Sequence, residues 1–191
     1  MIEAAKIDVA TLREAYRAKK LALFDTLRFA RAPTRSVHTV LRQLSALADQ
    51  TLTALWNEAG FGDAFALAAV GGYGRGELFP YSDVDVLLLL PPEGQDSGVE
   101  PARIEAFIGQ CWDAGLEIGS SVRTLEECLD EAAKDITVQT SLLESRLITG
   151  DKKLFAAFRR RFTQAIDPQA FFVAKSQEMR HRHQKFDNTP Y

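Results

Sequence analysis

The segment from Val70 to Leu90 constrains this chain more than any other. It reads Val-Gly-Gly-Tyr-Gly-Arg-Gly-Glu-Leu-Phe-Pro-Tyr-Ser-Asp-Val-Asp-Val-Leu-Leu-Leu-Leu. A glycine-rich turn leads into two carboxylates spaced i, i+2, and a wholly aliphatic run follows. Side chains alternate across a strand, so Asp83 and Asp85 are expected on one face with Leu87 and Leu89. Val84, Val86, Leu88 and Leu90 form the other face, which helices must cover. Two ionised carboxylates held side by side repel each other and disturb each other's pKa. A hard divalent cation relieves that repulsion, and Mg²⁺ is typically held by one or two carboxylates together with substrate phosphates. Glycines ahead of them let backbone N–H groups approach a polyphosphate closely.

That pattern suits nucleotidyl transfer. The reaction is an in-line displacement at the α-phosphorus, and metal ions neutralise the attacking and leaving oxygens. Asp83 and Asp85 are the expected metal ligands. Gly71 and Gly72, with the turn through Gly76, are expected to cradle the outgoing pyrophosphate. Ser82 adds a hydroxyl, and Arg75 a planar cation suited to phosphate oxygens. Each half of the pattern is common alone; a glycine pair followed by Asp-x-Asp opening an apolar strand is far more specific.

Around this centre the sequence predicts helices. One runs from Asp8 or Thr11, either of which can cap it, to about Ala30. After a break at 32–36, a second runs from about Ser36 to Ala59 and ends at Gly60 and Gly62. Strands are expected at Ala64–Val70, Val84–Leu90 and Leu116–Thr124, with a helix at Pro101–Ala114 between the last two. The stretch from Pro91 to Gly98 reads as a loop. The remainder is predicted helical: Leu125–Ala133, Asp135–Thr149, Asp151–Ala165 and Pro168–Phe186, with Gly150 as a C-cap. The fold class is therefore α+β. A helical segment at 1–62, a core at 63–133 with a small mixed sheet, and a helical segment at 134–191 follow in order. The ending at 187–191 has neither cap nor tail character and reads as a cut through a longer polypeptide.

Composition narrows the function classes. The chain has 191 residues and a net charge of −3, so no global basic field recruits nucleic acid. Cys111 and Cys128 are too few for a disulfide framework or a zinc cluster and read as reduced, buried thiols. The N-terminus carries Lys6, Asp8, Arg13 and Glu14 where a secretion signal would need an apolar run, and no stretch is apolar enough to span a bilayer. A cytoplasmic location is expected.

With these motifs the chain resembles the polymerase-β-type nucleotidyltransferases. More closely, it resembles the PII uridylyltransferase/uridylyl-removing enzymes of bacterial nitrogen control. The likeness rests on the Gly-Gly to Asp-x-Asp run, on Leu116-Glu117-Ile118-Gly119 through Cys128, on Asp135-Ile136-Thr137 and on Leu143-Glu144-Ser145-Arg146. The resemblance implies UTP as donor, a tyrosine hydroxyl of the PII signalling protein as acceptor, and Mg²⁺ or Mn²⁺ as cofactor. It also implies HD and ACT domains in a longer parent. Two readings stay open beside it: a nucleotidyltransferase for a small-molecule acceptor, and a non-catalytic nucleotide-sensing module.

A third carboxylate is usual in the superfamily. Glu117 is the one acid in the third strand, and its parity matches Ser121 and Arg123. It is read equally as base or metal ligand and as a partner for Arg123. His181 and His183 sit at i, i+2 on a helix and do not share a face. They read with Arg180, Arg182 and Lys185 as a solvated basic end, and Arg159 to Arg161 as another solvated face. Glu144 and Arg146 are expected mid-helix as structural residues. Tyr73 and Phe79 could stack on a base or simply pack.

Overall fold

The computed structural model describes residues 8–28, 33–92 and 100–185. The elements in order are α1 (Val9–Arg28), α2 (Pro33–Glu58), β1 (Ala66–Ala69), α3 (Gly71–Gly74), β2 (Val84–Leu89) and α4 (Pro101–Asp113). Then come β3 (Ile118–Arg123), α5 (Leu125–Lys134), α6 (Ile136–Leu143), β4 (Arg146–Gly150), α7 (Lys152–Ala165) and α8 (Pro168–Lys185). Residues 93–98 of the expected loop, the chain ending at 187–191, the end of the first expected helix at 29–30 and residue 32 of the expected break lie outside the described residues. The rest of that break is helical, because Pro33 opens α2, where a missing N–H is no loss.

One four-stranded sheet, in the order β3-β2-β1-β4, organises the molecule. β1 pairs antiparallel with β2, Ala69 lying opposite Val86. β3 runs parallel to β2 after the α4 crossover, so Asp85 lies opposite Gly119 and Leu89 opposite Arg123. The sheet is therefore mixed, and the fold is the expected α+β arrangement, a small mixed sheet flanked by helices.

Both faces are covered. Val84, Val86 and Leu88 pack with Leu44, Leu52, Trp56, Phe107 and Leu116 of the α2 and α4 side. Trp56 meets Phe65 edge-on at 4.7 Å and Phe61 at 4.9 Å, and its indole N–H donates to the Gly62 carbonyl. Leu87 and Leu89 pack on the other face with Leu125, Cys128, Leu142, Phe155, Phe158 and Phe162. The alternation expected for β2 holds, with Asp85 on the second face above Leu87 and Leu89. Cys111 and Cys128 are buried free thiols whose pKa values burial pushes up to about 12.

Helix ends follow local chemistry. The Asp8 carboxylate accepts from the N–H groups of Ala10 and Thr11 and caps α1. Thr124 and Glu127 form a reciprocal capping box at α5. Asp151 accepts from Lys153 and Leu154 N–H groups at the start of α7.

One expectation fails. The helix predicted over Asp135–Thr149 stops at Leu143, and Arg146–Gly150 forms β4 instead. Leu142, Leu143, Leu147 and Ile148 are spaced in a way that suits a helix as well as a buried strand. The decision is tertiary: without β4, β1 would expose a row of unpaired backbone groups on its free side. β4 pairs there antiparallel, Leu67 opposite Thr149 and Ala68 opposite Leu147, with a bulge between them. Gly150 consequently ends a strand rather than capping a helix. Its φ of +91° is left-handed, and a Cβ there would run into the Phe65 carbonyl.

Candidate active site

The glycine-rich segment folds as one helical turn rather than an open loop. β1 ends at Ala69, and α3 follows over Gly71–Gly74. The Val70 N–H donates to the Asp85 carbonyl at 3.1 Å, which ties the start of the turn to the carboxylate strand. Gly71 takes φ +58°, a conformation that side chains rarely adopt. The N–H groups of Gly71, Gly72 and Tyr73 belong to the first turn and have no acceptor within it. Gly76 closes the turn at φ +77° with open space around it, so it serves the path of the chain. Gly74 is different: a Cβ there would run into the Glu144 carbonyl. α3 is thereby packed directly on the turn between α6 and β4.

Asp83 immediately precedes β2, and Asp85 is its second residue. Both are exposed, as is Ser82. Burial within the surrounding protein, and then the charge of Asp83, pushes the Asp85 pKa upward. Among the described residues no basic side chain forms an ion pair with either carboxylate. Among the described residues, then, no protein cation paired with them offsets their mutual repulsion.

Glu117 lies just before β3, and its carbonyl accepts from the Val84 N–H at 2.7 Å. Its side chain is exposed and its charge acts on Tyr16. Among the described residues no group of three potential metal ligands forms, so Glu117 does not join Asp83 and Asp85 in a three-carboxylate cluster. Nor does it pair with Arg123.

The predicted phosphate cation, Arg75, is engaged. Its guanidinium meets Glu144 at 2.5 Å and Glu77 at 3.5 Å. Glu144 and Arg146 are not mid-helix, as the sequence suggested; one follows α6 and the other opens β4. Their roles are nonetheless structural. Arg146 clamps the Asp49 carboxylate at 2.8 and 3.1 Å, and the Tyr73 hydroxyl donates to the same carboxylate at 2.6 Å. Tyr73 is buried and its phenol is held firmly protonated, chiefly by burial and then by Asp49. It packs, and is not free to stack on a base. Phe79 and Tyr81 remain exposed between α3 and Asp83. His181 and His183 are exposed on α8, in the basic end the sequence suggested.

Sequence reasoning passed over Gly119 as a site residue. It faces Asp85 across the parallel pair, and a Cβ on it would collide with the Asp85 Oδ1. A glycine inside a strand, opposite a carboxylate, is the signal that could have found it.

The chain is similar in sequence to known proteins. Residues 58–143 match the nucleotidyltransferase domain family. The bifunctional uridylyltransferase/uridylyl-removing enzyme of Burkholderia orbicola (strain AU 1054) is 51% identical over 94% of this chain and 20% of its own length. That of Cupriavidus pinatubonensis is 52% identical over 95% of this chain and 20% of its own, and that of Ralstonia nicotianae 53% over 82% and 18%. The chain spans about one fifth of the length of the first two relatives.

Proposed function

We propose that this chain, whose residues 58–143 match the nucleotidyltransferase domain family, transfers UMP from UTP to a tyrosine hydroxyl of the PII nitrogen-regulatory protein, releasing pyrophosphate. The observation that carries this reading is the pair Asp83 and Asp85, side by side without a basic partner, beside a helical turn of glycines. Asp83 and Asp85 would hold Mg²⁺ or Mn²⁺. When bound, the metal would screen the triphosphate and the charge that develops at the α-phosphorus.

The chain's own groups do the rest. The first-turn N–H groups at Gly71 and Gly72 face the outgoing phosphates, with the Ser82 hydroxyl nearby in sequence and Gly76 shaping the turn. Arg75 joins them by exchanging Glu144 for phosphate oxygens. The phenolic oxygen of the acceptor forms a bond to the α-phosphorus as the bond to the bridging oxygen of pyrophosphate breaks. The phenolic proton must go to a base. We assign it to Glu117, which is exposed and stands apart from any three-carboxylate metal cluster.

Incubation with α-labelled UTP, Mg²⁺ and PII tests the reading. Label is expected on a PII tyrosine, and its loss is expected with Asp83→Asn. Transfer to a small molecule but not to PII, or UTP binding without turnover, would replace the reading with one of the two alternatives above.

A further inference from the structure

We propose that Arg123 reads the nucleobase of the donor and selects uracil. The inference rests on the nucleotide-donor reading above and names what part of the nucleotide lies where. Because β3 runs parallel to β2, Gly119, Ser121 and Arg123 lie opposite Asp85, Leu87 and Leu89. Arg123 therefore shares the carboxylate face, further along the sheet. Between this face and α6 lies a cavity of about 360 Å³, lined among others by Val70, Asp85, Arg123, Val138, Ser141 and Leu142. That volume lies within the range of small-ligand sites.

Arg123 differs from the arginines nearby. Arg75 is paired with Glu144, and Arg146 with Asp49. Arg123 is half-buried, and among the described residues it makes neither an ion pair nor a side-chain hydrogen bond. Glu131 and Cys128 feel its charge, but neither binds it. A guanidinium held part-way out of water with its donors unused is suited to an acceptor-rich ligand.

The carboxylate pair and the glycine turn account for the triphosphate. The cavity continues from Asp85, and its walls at Val70, Val138 and Leu142 are aliphatic, with Arg123 its one lysine or arginine. Aliphatic walls suit the faces of a planar base. Uracil presents two carbonyl oxygens that accept from a guanidinium. Cytosine replaces one of them with an amino donor, which would confront a side chain that can only donate.

Equilibrium dialysis of the chain with Mg–UTP and Mg–CTP tests this, with far-UV circular dichroism to establish folding. Wild type is expected to bind UTP at least about tenfold more tightly than CTP. Arg123→Met should weaken UTP about tenfold and leave CTP nearly unchanged, collapsing the discrimination. Arg123→Lys keeps the charge without the planar fork and should also lose discrimination; it carries the test if the Met variant does not fold. Equal weakening of both nucleotides would make Arg123 a phosphate contact and overturn the proposal, as would unchanged discrimination in a folded variant. Wild type binding UTP and CTP alike would overturn it while leaving the nucleotide-donor reading standing. Wild type binding neither would overturn both.

Discussion

The Asp85 carboxylate occupies the space that a side chain at Gly119 would fill. The two residues are opposite one another in the parallel pair of β2 and β3, and a Cβ on Gly119 would collide with Oδ1 of Asp85. The third strand therefore sets where the Asp85 carboxylate can point. Gly119→Ala should displace that carboxylate and lower transfer about 100-fold, as expected for a misplacement of about an ångström. The fold should survive, because the carboxylate is exposed and can swing aside. Unchanged kcat with an unchanged melting temperature would show that the close approach does not position Asp85.

Asp85 itself should trade stability for function. Its folded pKa is raised by burial and by Asp83. Below its unfolded pKa the group carries no penalty, since both states hold the proton. As pH rises through the folded value, the native state must give up a proton it holds more tightly than the unfolded chain does, so stability declines. At neutral pH Asp85→Asn should consequently melt higher than wild type while abolishing transfer. Mg²⁺ should raise the melting temperature of wild type, at about 2–4 °C per kcal/mol of binding, and that of the variant much less. Thermal scans from pH 4 to 8, with and without Mg²⁺, check both statements.

Two glycines of α3 should respond in opposite ways. A Cβ on Gly72 would meet Arg75 Nη2 at 3.5 Å and the Glu77 carbonyl at 3.6 Å, both ordinary contacts. Gly72→Ala should leave stability unchanged or raise it slightly, yet weaken UTP binding where the backbone must approach phosphate. Gly74→Ala drives a methyl into the Glu144 carbonyl and should destabilise by about 1–3 kcal/mol or more, since backbone cannot step aside. Chemical denaturation and nucleotide titration of the two variants separate packing from binding.

The Asp49 carboxylate joins three elements: α2, which carries it, α3 through Tyr73, and β4 through Arg146. Asp49→Ala leaves a phenol and a guanidinium without their shared acceptor. It should cost about 1–3 kcal/mol, and Tyr73→Phe about 1 kcal/mol. A double-mutant cycle between Asp49 and Arg146 should show coupling of about 1 kcal/mol or more in urea denaturation. Additive effects would mean that the contact does not hold the glycine turn in place.

Much of this molecule is local and therefore readable from sequence. The alternation of β2 depends on neighbours two residues apart, and burial of both faces follows from its aliphatic side chains. The caps at Asp8 and Asp151 depend on residues within a single turn. The proximity of the Asp83 and Asp85 carboxylates is legible because residues two apart on a strand share a face. What tertiary structure decided depends on residues far apart. Leu142 to Gly150 can be helix or strand, and the open edge of β1 made the choice. Arg75 can meet phosphate or carboxylate, and the turn after α6 brought Glu144 to it. Arg146 finds Asp49 across 97 positions, and Gly119 finds Asp85 only once β3 pairs in parallel register. Periodicity encodes which way a residue faces along its own element; which partner it meets there depends on how the elements pair and pack.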